Sequence, residues 1–116
     1  VVEQTQGSTP MRKIERQMNK AIAQRKSWKL DNTRVEYDSK KSISQVYLHN
    51  NKIAEIGENF VTVFHCRWKT NVTKSRLNAI LRMNGKGNEG IYQKDFVWFI
   101  SYDDKVEEFN SPVTLM

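Results

Sequence analysis

Cysteine is almost missing from this chain. Cys66 stands alone, so no internal disulfide can form, and a reducing compartment is the expectation. Histidine is nearly as scarce, with only His49 and His65. A metal centre needs three or four convergent ligands, and no spacing of His, Cys or carboxylates supplies them. Glycine and proline are sparse too, at five and two residues, and no glycine-rich phosphate loop is present. Asn84-Gly85-Lys86-Gly87 follows an expected helix, whereas such a loop follows a strand. No apolar run reaches the length of a transmembrane helix, so no membrane partner is expected. Val1-Val2-Glu3-Gln4-Thr5-Gln6 lacks the basic and apolar regions of a signal peptide.

These absences weigh against catalysis. His65 and Cys66 are neighbours in an expected strand, where successive side chains point to opposite faces, which suits no nucleophile–base pair. Asp103, Asp104, Glu107 and Glu108 read as a solvated turn rather than a general acid and base. The expectation is a protein that is not an enzyme and takes no metal or cofactor.

What is present begins with size. A chain of 116 residues has room for one domain and one modest core, and three Trp with nine other aromatics argue against general disorder. A start at Val1 suggests processing or excision from something longer, with Met11 an alternative natural start. Residues 1–10 therefore read as an N-terminal extension or leader remnant, and residues 11–116 as a single α+β domain.

The charge is polarised. Residues 11–30 carry seven cations against Glu15 alone, and residues 66–84 carry Arg67, Lys69, Lys74, Arg76 and Arg82 with no acid. Residues 85–116 reverse the sign, with six acids and three lysines. The asymmetry points to an anionic partner.

The periodicity gives the fold. Thr9 as N-cap and Pro10 at the first helical position open a helix whose apolar stripe is Met11, Ile14, Met18, Ala21 and Ile22. It fades near Arg25 to Ser27, and Trp28 and Leu30 read as anchors pinning its exit to the core. The period then changes to two. Strands are expected at Thr33–Tyr37, Ile43–His49 and Lys52–Ile56, with Asn50-Asn51 as a tight turn, and Phe60–Trp68 as the longest strand. Connections this short allow only antiparallel neighbours. A second helix follows, capped by Asn71 or Thr73, with Leu77, Ile80 and Leu81 buried and the glycines after Asn84 ending it. Phe96–Ile100 reads as a central strand covered on both faces, and Val106–Phe109 as a short last strand. The expected architecture is an antiparallel sheet of five to six strands with two helices on one face, in the order α-β-β-β-β-α-β-β.

The candidate site is the junction into the second helix. Arg67, Trp68, Lys69, Thr70, Thr73, Lys74, Ser75 and Arg76 crowd hydroxyls and cations at a helix N-terminus, where free N–H groups attract phosphates. Cations there oppose the helix dipole, and such local rule-breaking often marks function. The bland alternative is a normal cap with solvated side chains. Arg12, Arg16 and Lys20 form a secondary basic face on the first helix, for which a plain solvated face is the simpler reading. Tyr47, Trp68, Trp98 and Tyr102 could stack bases, while Phe60, Phe64, Phe96 and Phe99 read as core. The outline resembles a double-stranded-RNA-binding domain, but the strand count and the missing helix-terminal lysine cluster exclude it.

Val46–Ala54, Thr73–Leu81 and Ile91–Phe99, with Lys13–Met18, resemble a group of short proteins of tailed bacteriophages across most of residues 11–116. The resemblance implies a phage setting, in the host cytoplasm or in the virion. Within it, the reading is an accessory protein binding nucleic acid or an anionic nucleotide. The alternatives are a host-defence antagonist, sequestering a nucleotide signal or blocking a host protein, and a virion component such as a head decoration protein. Open sheet edges make a homodimer plausible.

Overall fold

A computed structural model describes residues 11–67 and 69–116; Thr9, Pro10 and Trp68 lie outside the described residues. The elements are α1 (Lys13–Gln24), β1 (Trp28–Leu30), β2 (Thr33–Asp38), β3 (Ile43–Leu48), β4 (Asn51–Ile56), β5 (Val61–Val63), α2 (Asn71–Asn84), β6 (Gly90–Lys94), β7 (Val97–Tyr102), β8 (Lys105–Glu108) and β9 (Val113–Leu115). They form a six-stranded sheet in the order β1-β2-β3-β4-β5-β9 and a three-stranded sheet in the order β6-β7-β8, every pair antiparallel. The α+β class and the antiparallel meander match the sequence expectation.

Register explains which face of the large sheet is buried. Val35 pairs with Val46, Val46 with Ala54, Ala54 with Val63, and Val63 with Val113, so these side chains share one face. Arg34, Glu36, Gln45, Tyr47 and Glu55 occupy the other. A bulge between Val46 and Tyr47 lets consecutive residues of β4, Ile53 and Ala54, both be buried. Both helices cover the apolar face, α1 against β1 and β2, α2 against β4 and β5. The core runs from Met18 and Ile22 of α1 through Leu77, Ile80 and Leu81 of α2 to Trp98 and Ile100 of β7.

Several local expectations are corrected. Arg12 precedes α1 as its N-cap residue, and Glu15 accepts a hydrogen bond from the Arg12 N–H at 3.4 Å. Trp28 packs against the core as expected, but it belongs to a strand, and Leu30 two residues on is exposed. The β3–β4 turn is His49-Asn50, one residue early, with both residues at positive φ as a two-residue hairpin requires. The expected long strand from Phe60 stops at Val63. Phe64 donates one more ladder bond to the Ile53 carbonyl, then Cys66 and Arg67 turn left-handed, each at φ 56°, and end the extended run. Gly57 is required where it stands, because a Cβ there would collide with the Phe60 ring.

The largest departure is at the C-terminus. Phe96 is 94% exposed at the tip of the β6–β7 hairpin, not core. The β7 strand is covered on one face only, and a further strand, β9, returns to pair with β5. The small sheet is tied to α2 by Asn78, whose amide donates to the Ile91 carbonyl at 2.9 Å and accepts from the Ile91 N–H at 2.7 Å.

Candidate nucleic-acid interface

The junction is built on an N-cap. The Thr70 hydroxyl accepts the Thr73 N–H at 3.2 Å, so Thr70 caps α2 rather than Asn71 or Thr73. Thr73 is buried, and its hydroxyl lies 3.0 Å from that of Thr70. Both hydroxyls are occupied in holding the cap.

Arg76 has a different task from the one its position in the sequence suggests. It is 3% exposed, and its guanidinium donates to Glu15 Oε2 at 2.8 Å, Thr33 Oγ1 at 3.0 Å and Asn32 Oδ1 at 3.3 Å. Ser75 donates to the same carboxylate oxygen at 2.6 Å. Arg76 and Ser75 therefore leave the candidate surface. They form a buried polar knot joining α1, α2 and the β1–β2 turn. The physical reason is pairing: a buried Glu15 requires a buried cation, and a planar guanidinium can satisfy three acceptors at once. No periodicity in the sequence links residues 15, 33 and 76.

The knot also fixes helix direction. Glu15 meets Ser75 and Arg76, and further along Asn19 donates to the Ala79 carbonyl at 3.1 Å and accepts from Asn84 at 3.3 Å. Contacts that advance together along both helices mean that α1 and α2 run parallel. Their N-termini, and hence the positive ends of two helix dipoles, lie at one end of the molecule.

Around that end stand the cations that remain exposed. Arg12, Arg16, Arg67 and Lys69 are exposed, and Lys20 lies further along α1. Arg16 donates to the Met11 carbonyl at 2.6 Å. Lys74 is half-buried, its ammonium 5.8 Å from the centre of the Trp98 ring. None of these six makes an ion pair among the described residues. His65 borders the same surface, its Nδ1 accepting the Arg67 N–H at 2.9 Å. Burial first, then the charges of Lys69 and Arg67, pushes the His65 pKa below the usual histidine value. The local field is positive enough to disfavour one more proton.

The aromatic candidates divide. Trp98 is buried in the core. Tyr102 donates to Glu107 at 2.5 Å, an anionic setting that raises its pKa. Tyr47 lies under the Arg34 guanidinium, 4.1 Å from the ring centre. A feature missed in the sequence is the row Lys29, Arg34, Tyr47 and Lys52, which the register aligns across four strands on the open face. Only strand pairing could have revealed it. Arg34 and Lys52 are ion-paired to Glu36 and Glu55, so the row is largely neutralised.

The Cys66 thiol donates to the Lys52 carbonyl at 2.7 Å, and burial pushes its pKa up. Among the described residues no group of three His, Cys, Asp or Glu could hold a metal ion, and no helix is long and apolar enough to cross a membrane.

Comparison with known proteins gives one clear relation. No curated protein and no solved structure matches the chain. The family model described as Kyanoviridae Gp96 protein matches residues 11–116, in agreement with the resemblance to tailed-phage proteins seen in the sequence. The chain belongs to the Kyanoviridae Gp96 family of cyanophage proteins.

Proposed function

We propose that this phage protein is a non-catalytic accessory factor that binds nucleic acid through the shared N-terminal end of its two helices. The observation that carries the reading is the parallel pairing of α1 and α2, which gathers Arg12, Arg16, Arg67, Lys69 and Lys74 around two helix dipoles. Cations without ion-pair partners are the groups that displace counterions from a phosphate backbone. An array of exposed cations around two helix N-termini fits backbone contact that tolerates any sequence.

Sequestration of a free nucleotide is less well supported. A surface cavity of about 430 Å³ is lined by Glu107 and Glu108, the wrong sign for a phosphate. A smaller one of about 180 Å³ involves Lys29 and Arg34, but Asp31 stands in its wall.

The test is fluorescence anisotropy with labelled single- and double-stranded DNA at two salt concentrations. The variant is the triple change Arg67→Ala, Lys69→Ala and Lys74→Ala, which leaves the buried knot intact. Affinity of the wild type should fall steeply with salt. For duplex DNA the triple variant should reduce the log–log salt slope by roughly 2 to 3, at about 0.9 per lost phosphate contact. No binding at low salt, or an unchanged slope in the folded triple variant, overturns the proposal.

A further inference from the structure

The outer face of the small sheet carries an apolar surface that folding does not use. Alternation in β6–β8 turns Ile91, Trp98 and Ile100 inward and leaves Tyr92, Val97, Phe99 and Val106 outward. Tyr92 and Phe99 are cross-strand partners whose rings stack at 5.6 Å. Val106 is 56% exposed, and Phe96 at the hairpin tip is the most exposed large apolar residue described.

The turn itself sharpens the anomaly. Asp95 and Phe96 both adopt positive φ, 52° and 68°. The equivalent positions in the other tight hairpins, His49-Asn50 and Asp103-Asp104, hold residue types that tolerate this conformation. A bulky aromatic does not, and 94% exposed it returns nothing to the monomer.

We propose that this face is where a second copy of the chain docks, in a face-to-face twofold dimer. The argument is the placement of charge on the face. Tyr92, Phe99 and Glu108 form one row across the three strands, and Lys94 lies on β6 one pair further towards the tip, beside Val97. Two twofold arrangements can stack the face on itself about Phe99. An axis across the strands would lay Glu108 on its own copy, like charge on like. An axis along the strands lays β6 over the partner's β8. It brings Phe99 against its own copy, Tyr92 over Glu108 of the partner, and Lys94 to the same edge. Only the second arrangement is complementary in charge, and it sets the two exposed Phe96 rings side by side. An isologous contact needs this self-complementarity.

The face is small. Three strands about 4.8 Å apart and five residues long span roughly 250 Å². That is well below the ~800 Å² per partner of a standard interface, so the dimer should be weak and concentration-dependent.

Sedimentation equilibrium from roughly 10 µM to about 1 mM tests it, on the protein free of nucleic acid so that the outcome is independent of the basic end. The wild type should pass from monomer to dimer over that range. Phe96→Asn should raise the dissociation constant about tenfold, because it removes an aromatic pair, two rings set side by side, and such a pair carries about that much. Lys94→Glu and Glu108→Lys should each weaken association, and the double charge reversal should restore it. A wild type that stays monomeric to the top of the range overturns the proposal and leaves the face to a different protein. Dimerisation unchanged by Phe96→Asn, or single charge reversals without effect, overturns it equally.

Discussion

The two helices with the large sheet, and the small sheet beside them, solve the same problem in opposite ways. The helical region buries charge and exposes charge: Glu15 and Arg76 are sealed inside, while Arg12, Arg67 and Lys69 stand in water. The small sheet buries only its inner face and exposes rings at Tyr92 and Phe96. The first region is positive and the second, from residue 85 onward, is negative. A buried ion pair gives a region directional specificity, because only one alignment of α1 on α2 satisfies it. An exposed apolar face is left without such a constraint until something covers it.

The largest break in this comparison should come from Arg76→Ala. It strands Glu15 in the interior, and loss of one partner from a buried pair costs about 3–5 kcal/mol, a large share of a small domain's stability. Thermal or urea unfolding measures it. Replacing both Glu15 and Arg76 with apolar residues of similar volume should cost much less, and equal losses would show that the pair acts mainly through shape. Any nucleic-acid assay that removes Arg76 therefore reads folding as well as binding, which is why the test above spares it.

In the small sheet the corresponding change should act in the other direction. Phe96→Asn places a residue tolerant of positive φ in the tight turn, and should raise the stability of the monomer by about 1 kcal/mol. A lower melting temperature in dilute solution, where no dimer contributes, would mean that the Phe96 ring is packed after all.

The smallest effect concerns His65. Its folded pKa is depressed by burial and by Lys69 and Arg67, so the unfolded chain takes up its proton first as pH falls. Stability should be full above the unfolded pKa of about 6.5 and decline below it, as far as the folded pKa. His65→Gln should remove this part of the acid dependence. Polyanion bound at Arg67 and Lys69 should raise the His65 pKa, an effect visible by NMR titration and absent if nucleic acid binds elsewhere.

Much of the fold was legible because it is local. The apolar stripe through Met18 and Ile22 gave α1, alternation gave β2, β3 and β4, and Gly85 marked the end of α2. The misreadings share a cause. Phe60–Trp68 looked like one strand because apolar composition does not reveal the left-handed pair Cys66-Arg67 that ends it. Phe96 looked like core because it adjoins Val97 and Trp98, but with Asp95 it forms the turn itself, which puts its ring in water. The candidate site was half legible. Arg67, Lys69 and Lys74 remain at the surface as composition suggested, whereas Ser75 and Arg76 turn inward to Glu15.

The sequence by itself determined the two helices, β2, β3 and β4 with their antiparallel pairing, and the polarity of charge, since these depend on residues a few positions apart. Only the tertiary structure decided that β9 closes the sheet against β5, that the helices run parallel, and which cations face water. Each of those depends on partners some fifty or sixty residues away, and helix and strand periodicity carry no record of them.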